Sequence, residues 1–163
     1  MLKSLILVGA TFTMGLAAGV FALYAHTIMP ALKTTDDRTF VASFQALDRA
    51  IINPWFMVGG FAGALVLTGL AALTQLRQDP LPWILVALGL YLVTFVVTVA
   101  VNVPLNDAIK AAGDPDRITD LAQVRADFHE VRWAAFNLVR VVTTTGAFAS
   151  LLWALIVYGR TTA

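Results

Sequence analysis

The hydrophobic positions of this chain form four long stretches free of Lys, Arg, Asp and Glu: residues 4–26, 50–76, 81–106 and 141–159. Each is close to or longer than the roughly 20 residues that a helix needs to cross a bilayer. The apolar runs are continuous rather than alternating, which argues against a transmembrane strand barrel. We therefore predict an all-α, four-helix transmembrane bundle that forms a single membrane domain over residues 1–163, with membrane helices at about 4–28, 53–76, 82–103 and 134–158.

The connections between these helices differ in length. Helices two and three are joined by the short turn RQDPLP, residues 77–82, whose prolines prevent helix continuation. The two long connections, residues 30–52 and 105–133, lie on one side of the membrane and follow helices that we expect to end at Met29-Pro30 and Val103-Pro104. Both contain helical patterns, which predict an extramembrane helical cap over the bundle.

The helical patterns in the cap have recognisable starts. In the first connection, Asp36 or Asp37 can cap a helix with one apolar face, formed by Phe40, Phe44, Leu47 and Ile51. In the second, Asp114 stands before Pro115, the usual order of a capping residue and a proline at a helix start. The apolar positions that follow recur at helical spacing and predict a helix that runs into helix four without a break.

Composition agrees with a membrane protein, because 59% of the residues are hydrophobic and 13% are charged, against about 45–50% and about 25% in soluble domains. The absence of cysteine excludes disulfides and Cys-based metal sites. A net charge of +1 implies no nucleic acid or other polyanionic partner. We predict an integral, multi-pass protein with the lipid bilayer as its partner, placed in the plasma membrane with both termini cytoplasmic.

The most informative polar stretch is FHEVRWAAFNLVR, residues 128–140, where helix four meets the bilayer. On one continuous helix His129 and Arg140 fall almost in line, and they are joined on that side by Arg132, Trp133, Phe136 and Asn137. Ionisable groups at membrane depth usually serve a function, so we predict that this face borders a cleft under the cap. The simpler alternative is that Arg132 and Arg140 reach lipid phosphates and Trp133 belongs to the interfacial aromatic belt.

A second polar cluster, NVPLND at residues 102–107, ends helix three. Asn102 and Asn106 lie one helical turn apart on either side of Pro104. Their amides can satisfy the free carbonyls of a helix end, or they can face the same cleft as His129. Neither alternative is excluded by the sequence. Asn53 before Pro54 is the usual cap of a helix start, here that of helix two.

Four segments resemble the DUF1772, or anthrone oxygenase-like, family of integral membrane proteins: MPAL at 29–32, FQALDRAIINPWF at 44–56, NVPLN at 102–106 and RWAAFNLVR at 132–140. The most specific part is PLN together with W-x-x-x-N-x-x-R, which here is Trp133, Asn137 and Arg140. The resemblance implies a monooxygenase that converts anthrones to anthraquinones with O₂ as co-substrate and without a conventional prosthetic group. No cofactor is therefore predicted, and a metal requirement stays open.

That chemistry assigns roles to the predicted site. His129 would be the base that removes a proton from a small lipophilic aromatic substrate, and Arg132 and Arg140 would stabilise the resulting enolate and the peroxide. The remaining residues would bind the substrate: Asn102, Asn106 and Asn137 through its oxygens, and Trp133 and Phe136 through its aromatic faces.

A non-catalytic alternative is a four-helix membrane partner or assembly subunit whose cap binds another protein, or a homo-oligomer. A channel or carrier is a weaker candidate, since no polar stripe crosses the whole membrane. The enzyme hypothesis requires a pocket of a few hundred Å³ beneath the cap, whereas the partner hypothesis predicts a packed junction there.

Overall fold

A computed structural model describes residues 1–162 of the protein, and no strand occurs among them. Four helical stretches are long and apolar enough to cross a membrane: Leu2–Lys33, Trp55–Thr74, Leu81–Ala111 and Leu121–Thr161. The all-α, four-helix transmembrane prediction is confirmed, and the protein is membrane-embedded.

Regular and widened helical segments alternate along the chain. The α-helices are α1 Leu2–Leu23, α2 Met29–Lys33, α3 Asp37–Ile51, α4 Gly63–Thr74, α5 Leu81–Val97, α6 Val103–Ala111, α7 Leu121–Asp127 and α8 Glu130–Thr162. Three π-helical segments lie between them: π1 Tyr24–Ile28, π2 Trp55–Ala62 and π3 Thr98–Asn102. The first membrane helix is therefore α1–π1–α2, the second π2–α4, the third α5–π3–α6, and the fourth α8.

Pro30 and Pro104 do not end the helices in which they lie. Each proline lies two residues after the end of a π-helical segment, and the helices continue to Lys33 and Ala111. In an α-helix the proline ring would collide with the carbonyl four residues earlier and would lack an N–H. A π turn bonds five residues back and changes that spacing, so it can absorb the proline. The expectation that helices one and three end at these prolines was therefore wrong.

Small side chains bring the membrane helices into close contact. The principal contacts join α1 to α4 and α8, and α5 to α8 and α4. Seven fully buried alanines lie in this core: Ala10, Ala17, Ala64, Ala71, Ala87, Ala147 and Ala154. Small residues at helix interfaces allow the close backbone approach on which packing in lipid depends.

Helix α3 forms the first half of the cap and starts as predicted. The Asp36 side chain accepts a hydrogen bond of 2.9 Å from the backbone N–H of Thr39 and a second from its hydroxyl. These bonds to the carboxylate lower the pKa of Asp36. Phe40 and Phe44 are buried on the predicted face and pack on Phe128 of the second connection.

Arg125 ties the two connections together. Its guanidinium donates to the carbonyl oxygen of Thr35 at 2.9 Å and pairs with Asp37 at 3.1 Å and Glu130 at 3.2 Å. It also lies 4.3 Å from the centroid of the Phe40 ring. The cap is thus an ordered layer with its own apolar core and polar ties.

The second connection differs from the prediction in two places. No helix starts at Asp114, whose carboxylate accepts from the N–H of Asp116 in a turn; α7 starts at Leu121 and is capped by Asp120. The chain is also not continuous into helix four. It breaks at Phe128-His129, where His129 has a φ of 52°.

Candidate ligand-binding cavity

A cavity of about 520 Å³ lies beneath the cap, at the level of the three π-helical segments. Its wall is mostly apolar and aromatic and is built from α1, α3, α5, α6, α8 and all three π-helical segments. The polar side chains on the wall are Tyr24, Asp48, Thr98, Asn106, Asp107, Lys110, Trp133 and Arg140. Sites for small molecules are typically apolar clefts of about 300–1,000 Å³ with a few polar groups. The cavity has the size and lining of a ligand site.

The irregular helices shape this cavity. π-helical turns widen a helix locally and occur often at functional sites. Buried polar side chains donate to backbone carbonyls in or next to two of these segments: Tyr91 Oη to Phe61 O of π2 at 2.9 Å, and Asn137 Nδ2 to Phe21 O, just before π1, at 3.2 Å. Asn102, in π3 itself, donates from Nδ2 to Trp133 O of α8 at 3.2 Å. Because lipid offers no hydrogen bonds, such side chains are needed where a membrane helix departs from α geometry.

Arg140 places a positive charge on the wall of the cavity. Its residue surface is 6% exposed, and Nη2 donates to Asn137 Oδ1 at 2.9 Å. The guanidinium lies over Phe21, 4.6 Å from the ring centroid, and over Trp133 at 5.3 Å. Nε has no hydrogen-bond partner, and no carboxylate of residues 1–162 forms an ion pair with Arg140.

A buried cation without a carboxylate carries a large desolvation cost. A guanidinium has five N–H donors, and the contacts of Arg140 with protein oxygens are the bond to Asn137 and a long one of 3.5 Å to Thr98 Oγ1. The arrangement therefore suits a ligand that brings an anionic or strongly polarised oxygen into the cavity.

A carboxylate stands in the roof of the same cavity. Asp48 of α3 is 6% exposed; Oδ1 accepts from Asn106 Nδ2 at 2.6 Å, and Oδ2 lies 2.7 Å from Lys110 Nζ. Lys110 also pairs with the exposed Asp107 at 3.0 Å. Asn106 in turn accepts from Trp133 Nε1 at 2.7 Å. The network orients Asp48 and leads from the buried roof to the surface.

Five of the eight predicted site residues come together at this cavity. Asn106, Trp133 and Arg140 line it, and Asn137 is buried against Arg140. Asn102 is buried behind the wall and binds the carbonyl of Trp133. Neither alternative left open by the sequence holds as stated: Asn102 binds a carbonyl of α8 rather than one at the end of helix three, and Asn106 faces a cavity that His129 does not line.

The other three predicted residues lie elsewhere. His129, Arg132 and Phe136 line a separate, open groove of about 750 Å³ beside the break between α7 and α8. His129 and Arg132 are exposed. The structure therefore does not bring His129 or Arg132 to Arg140.

The cause is the backbone at the start of α8. The buried positions of this helix recur every three or four residues, at Trp133, Asn137, Arg140 and Thr144. His129 would continue that stripe on an unbroken helix, but its positive φ takes it out of the helix. Phe128, just before it, is turned inward and fully buried in the cap.

Sequence reasoning did not assign Asp48, Lys110 or Tyr24 to the site. Asp48 carries a signal in the sequence, because it lies one turn after Phe44 on the apolar face of an amphipathic helix. Lys110 carries no such signal, since its place depends on the third membrane helix continuing through π3 and Pro104. No group of three or more His, Cys, Asp or Glu that could hold a metal ion occurs within residues 1–162.

Fold and cavity together define a membrane-embedded four-helix protein with a ligand-sized, mainly apolar cavity under a helical cap. The sequence model of the anthrone oxygenase family matches residues 47–150, which is more than half of the chain. The protein therefore belongs to this family. The matched region includes Asp48, Asn106, Trp133 and Arg140. Neither a curated protein nor a solved structure matches the chain. Membership supports an oxygenase-like function in the membrane.

Proposed function

We propose that this protein oxidises a flat, lipophilic aromatic molecule of the anthrone type with O₂, through an enolate that reacts directly with oxygen. The proposal rests on the environment of Arg140. Its guanidinium is buried on an apolar cavity wall and forms no ion pair with a carboxylate of the described residues. A non-catalytic membrane partner would have a packed junction beneath the cap, so the cavity of about 520 Å³ favours ligand chemistry.

Binding follows from the composition of the wall. The rings of Phe56, Phe61 and Trp133 offer faces and edges on which a planar aromatic system can pack. Arg140 meets the oxygen on which negative charge develops when the substrate loses a proton. A preorganised donor of this kind is worth about 2.7–4 kcal/mol in the transition state.

The base in this proposal is Asp48 rather than His129. Asp48 lines the same cavity as Arg140, whereas His129 lines the separate groove. Asn106 and Lys110 hold the Asp48 carboxylate in place from two sides. General bases act only within hydrogen-bond reach of the proton that they remove, so sharing the cavity is the first requirement.

The reaction balances without a further reactant. Asp48 takes one proton from the central CH₂ of the substrate, and the electron pair delocalises onto the oxygen next to Arg140. The enolate gives one electron to O₂, and the resulting radicals combine at that carbon as a peroxide, which takes the proton back from Asp48. The hydroperoxide then loses its second C–H proton as the O–O bond breaks and hydroxide leaves, giving a ketone and water. One O₂ is consumed per substrate.

We also propose that the cap lies outside the plasma membrane and that both termini are cytoplasmic. Lys3, Arg77 and Arg160 lie close to membrane-helix ends on the side opposite the cap. Basic residues in short segments at helix ends favour the cytoplasmic side.

The test is O₂ uptake by the full chain in lipid vesicles supplied with a simple anthrone, with empty vesicles as the control for spontaneous oxidation. With ¹⁸O₂ we expect one labelled oxygen in the quinone and one in water. We expect Asp48→Asn to lower the rate by about 10²-fold or more, and His129→Ala to leave it within about twofold. Uptake equal to that of empty vesicles contradicts the proposed reaction. Loss in His129→Ala together with full activity in Asp48→Asn contradicts the assignment of the base.

A further inference from the structure

Four apolar side chains line the cavity and are also exposed on the outer surface of the protein. Ile52 is 58% exposed, Met57 36%, Val99 53% and Val103 40%. By contrast, Phe21, Phe56 and Phe61 on other parts of the wall are 5–7% exposed. A side chain can line the cavity and also be exposed on the outer surface only where the cavity wall is open or is a single side chain thick.

All four residues lie on the cavity wall at the cap ends of the second and third membrane helices. Met57 is in π2, with Ile52 just before it, whereas Val99 and Val103 are in π3 and α6. The principal contacts between these two membrane helices join α4 to α5, nearer the short turn, whereas π2 packs on α1. Phe61 of π2 still stacks on Phe95 of α5 at the cavity wall, with ring centroids 5.3 Å apart. The two helices separate between that pair and the cap.

The chemistry of this rim indicates what it faces. The four side chains carry no polar group, and all four lie in the charge-free stretches 50–76 and 81–106. The polar groups at the other edge of the cavity, Lys110 and Asp107, lie in α6 towards the cap. Hydrocarbon is therefore the neighbour of the apolar rim, and water can reach only the cap edge.

We propose that the cavity opens sideways into the bilayer between Met57 and the pair Val99 and Val103, and that its ligand enters from the lipid. The ligand class is a flat, lipophilic aromatic with one acidic oxygen: the apolar rim admits the rings, and Arg140 holds the oxygen. The ligand class rests on the proposed function, whereas the opening rests on the exposure of the rim.

Entry from lipid has a kinetic consequence. An apolar ligand is concentrated in the bilayer by partitioning, so the lateral route is faster than one through water. Filling the rim should slow both entry and exit without changing the groups that hold the bound ligand. Filling a lipid-facing position away from the cavity should change nothing.

The experiment measures ligand entry directly. We would use the full chain in vesicles, with Trp55, Trp83 and Trp153 replaced by Phe so that Trp133 on the cavity wall is the single fluorophore. Anthraquinone, delivered from a second population of vesicles, is the probe, since a quinone in the cavity quenches the Trp133 emission. Val99→Phe and Val103→Phe fill the rim; Val96→Phe is the matched control, because Val96 is 60% exposed one turn earlier and does not line the cavity.

We expect the association and dissociation rates both to fall about tenfold in the two rim variants, and both rates to stay within about twofold in the control. Equal rates in all three variants would overturn lateral entry and indicate the cap edge at Lys110. The absence of specific quenching in the parent protein would overturn the ligand class. O₂ uptake by the same vesicles reports the proposed reaction separately, so binding without turnover would remove the reaction and leave the lateral opening standing.

Discussion

Arg140 donates a hydrogen bond of 2.9 Å from Nη2 to the side-chain oxygen of Asn137. The other end of that amide donates to the carbonyl of Phe21, which fixes its orientation with the oxygen towards Arg140. The partner of this buried cation is thus a neutral amide, although a carboxylate of the same shape would stabilise it more strongly. Because the amide is neutral, the positive charge of Arg140 is not neutralised by the protein and remains available to a ligand.

The variant Asn137→Asp tests this relationship. A carboxylate at this position would pair with Arg140 and neutralise it, at the loss of one bond to Phe21. We expect the apparent free energy of unfolding to hold or rise, since a hydrogen bond between charged groups contributes about 1.5–3 kcal/mol. We expect turnover to fall about tenfold or more, because the charge is no longer available to the enolate. Thermal unfolding and O₂ uptake on one sample measure both, and full activity in a folded Asn137→Asp protein would contradict this role of Arg140.

The π2 segment should depend on glycine at position 63. A Cβ built on Gly63 would overlap the carbonyl oxygen of Val58, which is backbone and cannot move aside alone. We expect Gly63→Ala to straighten π2, to cost about 1–3 kcal/mol and to weaken anthraquinone binding. Gly69→Ala in α4 meets nothing within 4 Å and is the matched control, with an expected change within about 0.5 kcal/mol. Equal stability and binding in the two variants would show that the cavity does not need the π-helical backbone.

Arg125 should hold the cap in place. Its side chain is 17% exposed and joins both connections through Thr35, Asp37 and Glu130. We expect Arg125→Ala to lower the free energy of unfolding by about 2–3 kcal/mol. Arg117→Ala, at a side chain that is 87% exposed, should stay within about 0.5 kcal/mol. Denaturant-induced unfolding of both variants in detergent measures the difference. Similar unfolding midpoints would mean that the cap is held by its apolar core alone.

Membrane orientation can be read without background labelling, because the chain contains no cysteine. Arg117→Cys lies in the cap, and Asp79→Cys lies in the short turn at the other end of the bundle. We expect a membrane-impermeant maleimide to label Arg117→Cys in intact cells and Asp79→Cys only after permeabilisation. The reverse pattern would place the cap in the cytoplasm.

Much of the fold was predictable because charge-free length and capping residues are local signals. The four membrane helices, the Asp36 cap and the buried Phe40 and Phe44 face follow from such signals and are confirmed. Asn53 also caps as expected, accepting from the N–H of Phe56 at 3.0 Å. The two caps and the buried face depend on residues within about two turns of one another, and each membrane helix depends on one uninterrupted charge-free stretch.

The failures occur where the backbone departs from α geometry. Pro30 and Pro104 are strong local stop signals, yet π1 and π3 carry the helices past them into the cap. The positive φ of His129 turns one predicted site residue away from the others, and histidine at that position gives no sign of it. The choice of a widened or left-handed turn is made by tertiary packing, here by Phe128 buried in the cap.

The part of the candidate site that lies on α8 was predictable from the sequence, whereas the residue contributed by α3 was not. The W-x-x-x-N-x-x-R spacing correctly brought Trp133, Asn137 and Arg140 together on one stripe of α8. Asp48 joins them only because the cap folds over the bundle, a contact between residues far apart in the chain. A helical wheel shows one helix, and it cannot show what another helix contributes.

The proposed reaction depends above all on Arg140, which stabilises the negative charge that develops on the substrate. The most direct measurement compares O₂ uptake with an anthrone by Arg140→Gln and Arg132→Gln, two identical changes on the same helix, in vesicles and with folding verified. Arg132 is exposed in the separate groove and serves as the control. We predict a loss of about 10²–10³-fold in Arg140→Gln and less than about twofold in Arg132→Gln. Equal activities in two folded variants would contradict the claim.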